Sequence, residues 1–205
     1  MHVSDKDQRR AAWFRSLNCD GGYGFALLAC LLLLALLEWQ FGALRTRLYY
    51  DRIAIAQGQW WRLLSAQLIH LDTRHLLYNA AGLALLWVLF VRLLEPWQWL
   101  VVVLASMACI DIGLWWFDPS VQWYAGASGW LHGVLAAGAL LSLWRERDAW
   151  SLGVMAVLVV KLALEQWWQG SLILAELPVV VDAHLYGALG GALALLALAG
   201  ARKRL

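Results

Sequence analysis

A serine flanked by glycines stands at Gly126-Ala127-Ser128-Gly129, where a polar loop runs into an apolar stretch. Glycines on both sides permit a tight turn and the close approach of another backbone. The serine then occupies a helix start, whose unpaired N–H groups can hold an anion. A nucleophile whose attack creates an oxyanion needs that setting. The same residues also suit plain packing, because Gly129 and Gly133 form a small-xxx-small pair. His184 opens a second stretch and shares one helical face with Gly187 and Gly191. A histidine beside two bare backbone positions can reach a group on a neighbouring helix, or merely satisfy a carbonyl on a packing face. The third element holds His70, His75 and Asn79. His75 and Asn79 lie on one helical face, and both donate hydrogen bonds from their side chains. Donors aimed at a developing negative charge suit acyl transfer, and an interhelical hydrogen bond is the plainer alternative. No carboxylate or cysteine completes a ligand set around His70 and His75, so neither a metal nor a cofactor is expected. Together the three elements offer a nucleophile, a base and oxyanion stabilisers.

Six apolar stretches must carry these residues, at roughly 24–43, 75–94, 97–117, 127–144, 150–169 and 181–200. Composition supports reading them as membrane spans. Of the 205 residues, 62% are hydrophobic and 15% are charged. A soluble chain averages roughly 45–50% and 25%. Mean hydropathy is +0.62. The 15 tryptophans suit the membrane–water boundary. The fold class expected is therefore an all-α membrane protein, a bundle of six transmembrane helices. Segment 44–74 has no spanning run and mixes five arginines with Trp60-Trp61, which predicts an amphipathic loop at the membrane surface. The expected organisation is a cytoplasmic tail over 1–23, one domain over 24–200 and a basic tail over 201–205.

Lys and Arg bias sets the orientation. Lys6, Arg9, Arg10, Arg15, Arg92, Arg145, Arg147, Arg202, Lys203 and Arg204 fall on the side of the termini, against Arg45, Arg47, Arg52, Arg62 and Arg74 on the other. Both termini are expected in the cytoplasm. A net charge of +2 without a basic stripe argues against nucleic acid, and the lipid bilayer is the expected environment. Cys19, Cys30 and Cys109 form neither a metal spacing nor a disulfide framework. The first apolar run ends in Glu38-Trp39-Gln40 rather than small residues, so no cleavable signal peptide is expected. Ionisable groups inside spans are functional candidates by default. Besides the residues above they include Asp111, His132, Lys161, Glu165 and Asp182. Lys161 and Glu165 are i,i+4 and can pair, and Glu165 is a candidate for substrate recognition. Asp182 is two residues from His184, does not face it along a helix, and is left out of catalysis. The polar residues cluster toward one leaflet and mark no path across the bilayer, which argues against a transporter or channel.

At these residues the sequence resembles the rhomboid family of intramembrane serine proteases, over roughly residues 24–200. The family's GxSG turn corresponds to Gly126 through Gly129, its HxxGxxxG to His184, Gly187 and Gly191, and its His…His…Asn pattern to His70, His75 and Asn79. Trp61-Arg62 is similar to the family's Trp-Arg pair. The resemblance implies a Ser128–His184 dyad, with oxyanion stabilisation by His75, Asn79 and the Ser128 backbone. His70, Gly126, Gly129, Gly187 and Gly191 would support and pack the site. One departure is His132, which stands where many rhomboids carry a tyrosine stacked on the catalytic histidine. It shares a helical face with Ser128 and becomes a candidate for proton transfer. Ser128 through Gly133, Lys161 through Gln166 and Ala183 through Gly187 look most like the rhombosortase subfamily. That likeness implies a bacterial inner-membrane enzyme whose partners are membrane-anchored protein substrates, exported proteins with a C-terminal Gly-Gly-type tail. A general rhomboid protease and an inactive rhomboid-like escort are the alternatives. Nothing in the sequence sets an oligomeric state.

Overall fold

The computed structural model describes residues 21–41, 44–170 and 179–202. Residues 1–20 of the expected N-terminal tail, and Lys203 with Arg204, lie outside them. In chain order the elements are α1 (Gly21–Phe41), α2 (Arg45–Leu48), β1 (Tyr50–Asp51), α3 (Arg52–Ala56) and α4 (Trp61–Ser65). Then come α5 (Thr73–Phe90), α6 (Pro96–Trp116), β2 (Trp123–Tyr124), α7 (Ser128–Glu146), α8 (Ala149–Trp168) and α9 (Asp182–Arg202).

The six long helices fall where the apolar runs predict helices. Their starts follow local chemistry. Asp72 Oδ1 accepts from the His75 N–H at 2.7 Å and caps α5, and Asp148 Oδ1 accepts from Ser151 N–H at 2.9 Å at the head of α8. Glu95 and Gln98 form a reciprocal capping box at α6, with Pro96 in the first turn. Among the described residues four segments are long and apolar enough to cross a membrane: Thr73–Leu93, Pro96–Trp116, Ala149–Trp168 and Asp182–Ala201. The expectation of six spans meets six long helices among the described residues, at least four of them long and apolar enough to span. On α7 the glycines, His132, Arg145 and Glu146 lower the hydropathy. That helix is wrapped by its neighbours, with Gly129 to Leu131, Gly133, Ala136 to Ala139 and Leu141 all buried, and so needs little lipid-compatible surface. The outer helices differ. Leu28, Leu32, Leu33 and Leu36 on α1, and Val157, Val159 and Val160 on α8, are exposed. Such rows call for lipid rather than water as the solvent. Exposed Trp97 and Trp116 mark the two ends of α6, and Trp150 and Trp167 those of α8, where indoles meet the interface.

The segment expected as a surface loop is built from three short helices and a strand, held by arginines. Buried Arg62 donates to the carbonyls of Thr46 (3.1 Å) and Tyr49 (2.8 Å) and to Gln59 Oε1 (2.8 Å). Arg52 donates to the Leu114 and Trp115 carbonyls at 2.9 and 2.6 Å, satisfying the open C-terminal end of α6. The loop also grips the turn before α7. Tyr50 pairs with Tyr124 and Asp51 with Trp123 in an antiparallel ladder. Gly126 N–H donates to Ala66 O at 2.8 Å, and Trp130 Nε1 donates to Gln67 O at 3.0 Å.

The bundle centre is a crossing of α7 on α9, made by glycine against backbone. A Cβ on Gly187 would lie 2.0 Å from Gly129 O, and one on Gly191 would lie 2.1 Å from Gly133 O. Carbonyl oxygens cannot give way as a flexible side-chain end can, so the helices would have to part. Gly191→Ala is expected to destabilise the protein by about 1–3 kcal/mol, read as a lowered unfolding temperature in detergent micelles. An unchanged temperature would show that α7 and α9 can part at this crossing without loss of stability.

Candidate active site

All the polar candidates gather at one end of the bundle. There α5, α7 and α9 begin and α8 ends, so short-range capping and turn chemistry on four elements meets in one place. Ser128 is the first residue of α7. Ala127 before it supplies no side-chain cap, so no side chain competes for the first N–H groups of the helix. Gly126 turns the chain with φ at +125°, a region that L side chains rarely adopt. A Cβ there would also lie 2.5 Å from His75 Cε1 and 2.9 Å from His75 Nε2. The glycine is required twice over, by conformation and by the imidazole against it. Tyr124 O–H donates to Gly126 O at 2.7 Å and steadies the turn.

His184, in the first turn of α9, reaches back across the glycine crossing. Its Nε2 lies 3.0 Å from Ser128 Oγ. Its Nδ1 lies 2.9 Å from Glu165 Oε2. An ionised carboxylate only accepts, so Nδ1 carries the proton and Nε2 is left to accept from the serine hydroxyl. Lys161 Nζ holds the other oxygen of Glu165 at 2.6 Å. Glu165 is 0% exposed. The sequence anticipates the Lys161–Glu165 pair but reads Glu165 as a substrate-recognition candidate. In the structure Glu165 sits on the far side of the imidazole from Ser128 and is no part of the cavity wall. The available signal was an ionisable residue deep in an apolar helix. What spacing could not reveal is that α8 turns that residue toward α9.

His132 lies one turn beyond Ser128 and stacks on His184, with ring centroids 4.1 Å apart and planes at 19°. Its Nδ1–H donates to Ser128 O at 2.7 Å. The ring is thus held as a platform for His184. His132, Glu165 and His184 have ligand-type atoms within 4.8 Å of one another. Stacked rings aim their lone pairs side by side rather than at one point, and Lys161 already occupies the carboxylate, so the cluster is poorly shaped for a metal ion.

His75 and Asn79 complete the circle from α5. The Leu71 N–H points at His75 Nδ1 at 3.5 Å, a long contact that leaves the ring proton on Nε2, toward the Gly126 turn. Asn79 Nδ2 is buried without a hydrogen-bond partner among the described residues. A buried orphan donor is costly, and an anion lodged beside Ser128 would satisfy it. Ser128, His184, His132, His75, Asn79 and Lys161 line one cavity of about 230 Å³, whose remaining wall is mostly apolar, with Leu85, Leu86, Leu131 and Leu135. His70 is fully buried and stands edge-on to His75, centroids 5.3 Å apart, outside the cavity wall. Burial, with His75 and Arg45 nearby, pushes it down to about 3. It stays neutral at ordinary pH and stands behind His75 without reaching the cavity.

A serine and histidine in contact, fronted by two donors at a helix N-terminus, form a constellation met in serine proteases. The family model of the rhomboid domain matches residues 57–201. The chain belongs to the rhomboid family. Among curated relatives, the rhomboid protease GluP of Bacillus subtilis (strain 168) is 32% identical over 146 residues, which cover 68% of this chain and 28% of GluP. YdcA of the same organism is 30% identical over 94 residues, covering 46% of this chain and 47% of YdcA. This rhomboid thus aligns with about half of one relative and about a quarter of the other. Its matched region runs from the Arg62 loop through α9 and contains every residue of the site, while α1 precedes it. With its apolar helices, this rhomboid is an integral multi-pass membrane protein.

Proposed function

We propose that this rhomboid is an intramembrane serine endopeptidase in which Ser128 is the nucleophile and His184 the general base. The 3.0 Å contact between Ser128 Oγ and His184 Nε2, at a helix start without a side-chain cap, carries this reading. Ser128 Oγ attacks the carbonyl carbon of a peptide bond. Its proton passes to His184 Nε2, and the carbonyl electrons move onto oxygen. The oxyanion is received by the Ser128 N–H, His75 Nε2–H and Asn79 Nδ2–H. The C–N bond then breaks as His184 returns the proton to the leaving nitrogen, and water releases the acyl group by the same steps in reverse order of roles.

All six long helices cross the membrane in this reading, as one domain over 24–200, with both termini in the cytoplasm of a bacterium and the protein in its inner membrane. The Lys and Arg bias supports the orientation. The site end of the bundle then faces outward, where water reaches it beside the Asp118–Tyr124 segment. Membrane-anchored proteins are the substrates. The rhombosortase likeness of the segments around Ser128, Lys161 and His184 favours exported proteins with a C-terminal Gly-Gly-type tail.

The test uses purified protein in lipid vesicles with two reporters, one ending in a Gly-Gly-type tail and one carrying an unrelated transmembrane helix. Cleavage confined to the first supports the narrow specificity. Cleavage of both retains the protease and removes that specificity. Silence on both, from folded protein, would favour an escort role over catalysis.

A further inference from the structure

We propose that Glu165 is a positioning residue that extends the Ser128–His184 pair into a Ser–His–Glu triad, with Lys161 holding the carboxylate in place. This rests on the protease reading above and adds a third residue to the expected dyad. Three observations carry it. Glu165 Oε2 lies 2.9 Å from His184 Nδ1, on the opposite side of the ring from Ser128 Oγ at 3.0 Å. Glu165 is fully buried, and His184 is 4% exposed, so water does not compete for that contact. Lys161 Nζ takes the other carboxylate oxygen at 2.6 Å from one turn earlier on α8.

The chemistry follows from donors and acceptors. A neutral imidazole carries one proton. For Nε2 to take the serine proton it must be bare, so the ring proton must sit on Nδ1. A carboxylate at Nδ1 selects that tautomer. A neutral amide there could donate to Nδ1 and select the wrong one. During attack the ring gains a proton at Nε2 and becomes a cation between Glu165 and the oxyanion. Glu165 keeps its charge, accepts the Nδ1–H throughout, and takes up no proton. A lone buried carboxylate would be costly to keep ionised. Lys161 offsets that cost, and its i,i+4 place on the same helix makes the pairing independent of how α8 packs. His132 orders the ring from a third direction by stacking on its face at 4.1 Å. The imidazole is thus held at both nitrogens and on one face, with no freedom left to flip.

Glu165→Gln keeps the shape and removes the charge. Cleavage of a membrane reporter in vesicles is expected to lose about 10²- to 10⁴-fold in kcat with little change in KM, while Glu165→Asp recovers part of that loss. A residue that serves only to pair with Lys161 would change the unfolding temperature and leave kcat alone, and a substrate-recognition residue would raise KM. A folded Glu165→Gln protein with kcat within about threefold of wild type, or with KM alone altered, overturns the triad. Should the variant not fold, the unaltered protein decides by ¹⁵N-histidine NMR, with the His184 signals identified by their loss in His184→Asn. A neutral His184 ring protonated at Nδ1 and bare at Nε2 is expected, and the opposite tautomer overturns the proposal. A Ser128→Ala protein that cuts like wild type would instead bring down the protease reading. A fully active Glu165→Gln protein beside an inert Ser128→Ala protein overturns the triad alone.

Discussion

Ser128→Ala is expected to lower kcat by about 10⁴- to 10⁶-fold, His184→Asn by a similar factor, and the double variant by no more than either. The two side chains form one device. Without the hydroxyl there is no bond for the imidazole to help form, and without the base the hydroxyl is a poor nucleophile at neutral pH. Their 3.0 Å contact across α7 and α9 is the structural reason for that dependence. Residual cleavage above the uncatalysed rate would come from the oxyanion donors and from binding alone. Single-turnover cleavage in vesicles measures all three variants on one scale. Losses that multiply in the double variant would show that the residues act separately, and the reaction would need another base. His132 is the next candidate, yet its Nδ1 is committed to Ser128 O at 2.7 Å.

Asn79→Ala is expected to cost about 10²- to 10³-fold in kcat with KM nearly unchanged. Asn79 Nδ2 is buried and has no hydrogen-bond partner among the described residues, which is unfavourable unless the donor is used at another moment. Oxyanion formation beside Ser128 supplies that moment. The donor contributes to the transition state and little to the resting fold, so the unfolding temperature should hold while kcat falls. His75→Ala should lose activity on the same scale and also stability, because the ring fills the space against Gly126 and His70. A rise in KM with kcat intact would assign Asn79 to substrate binding instead. A fall in unfolding temperature that accounts for the lost activity would make it an ordinary packing residue.

Particular residues show what could be read before any tertiary structure. The apolar runs place six long helices because periodicity and length are local properties, and Asp72, Asp148 and the Glu95–Gln98 pair mark three helix starts by local hydrogen bonding. Gly126, Gly187 and Gly191 are legible as places where a backbone must turn or be approached, since no other residue type serves there. Segment 44–74 was less legible. Its arginines look like interfacial charge, but Arg52 and Arg62 satisfy carbonyls that are distant in sequence, and nothing local announces such partners.

The chemical types at the site, and the pairing of Lys161 with Glu165, were determined by the sequence alone. They depend on residue identity and on the fixed pitch of a helix. Only the tertiary structure decided which group His184 meets at each nitrogen, that His132 lies flat on its ring, and that Glu165 turns inward to the imidazole rather than toward the cavity. Those outcomes depend on how α7, α8 and α9 are rotated and pressed together. That rotation is set by the sum of contacts along whole helices, with glycine meeting carbonyl at Gly187 and Gly191, and no local spacing encodes such a sum.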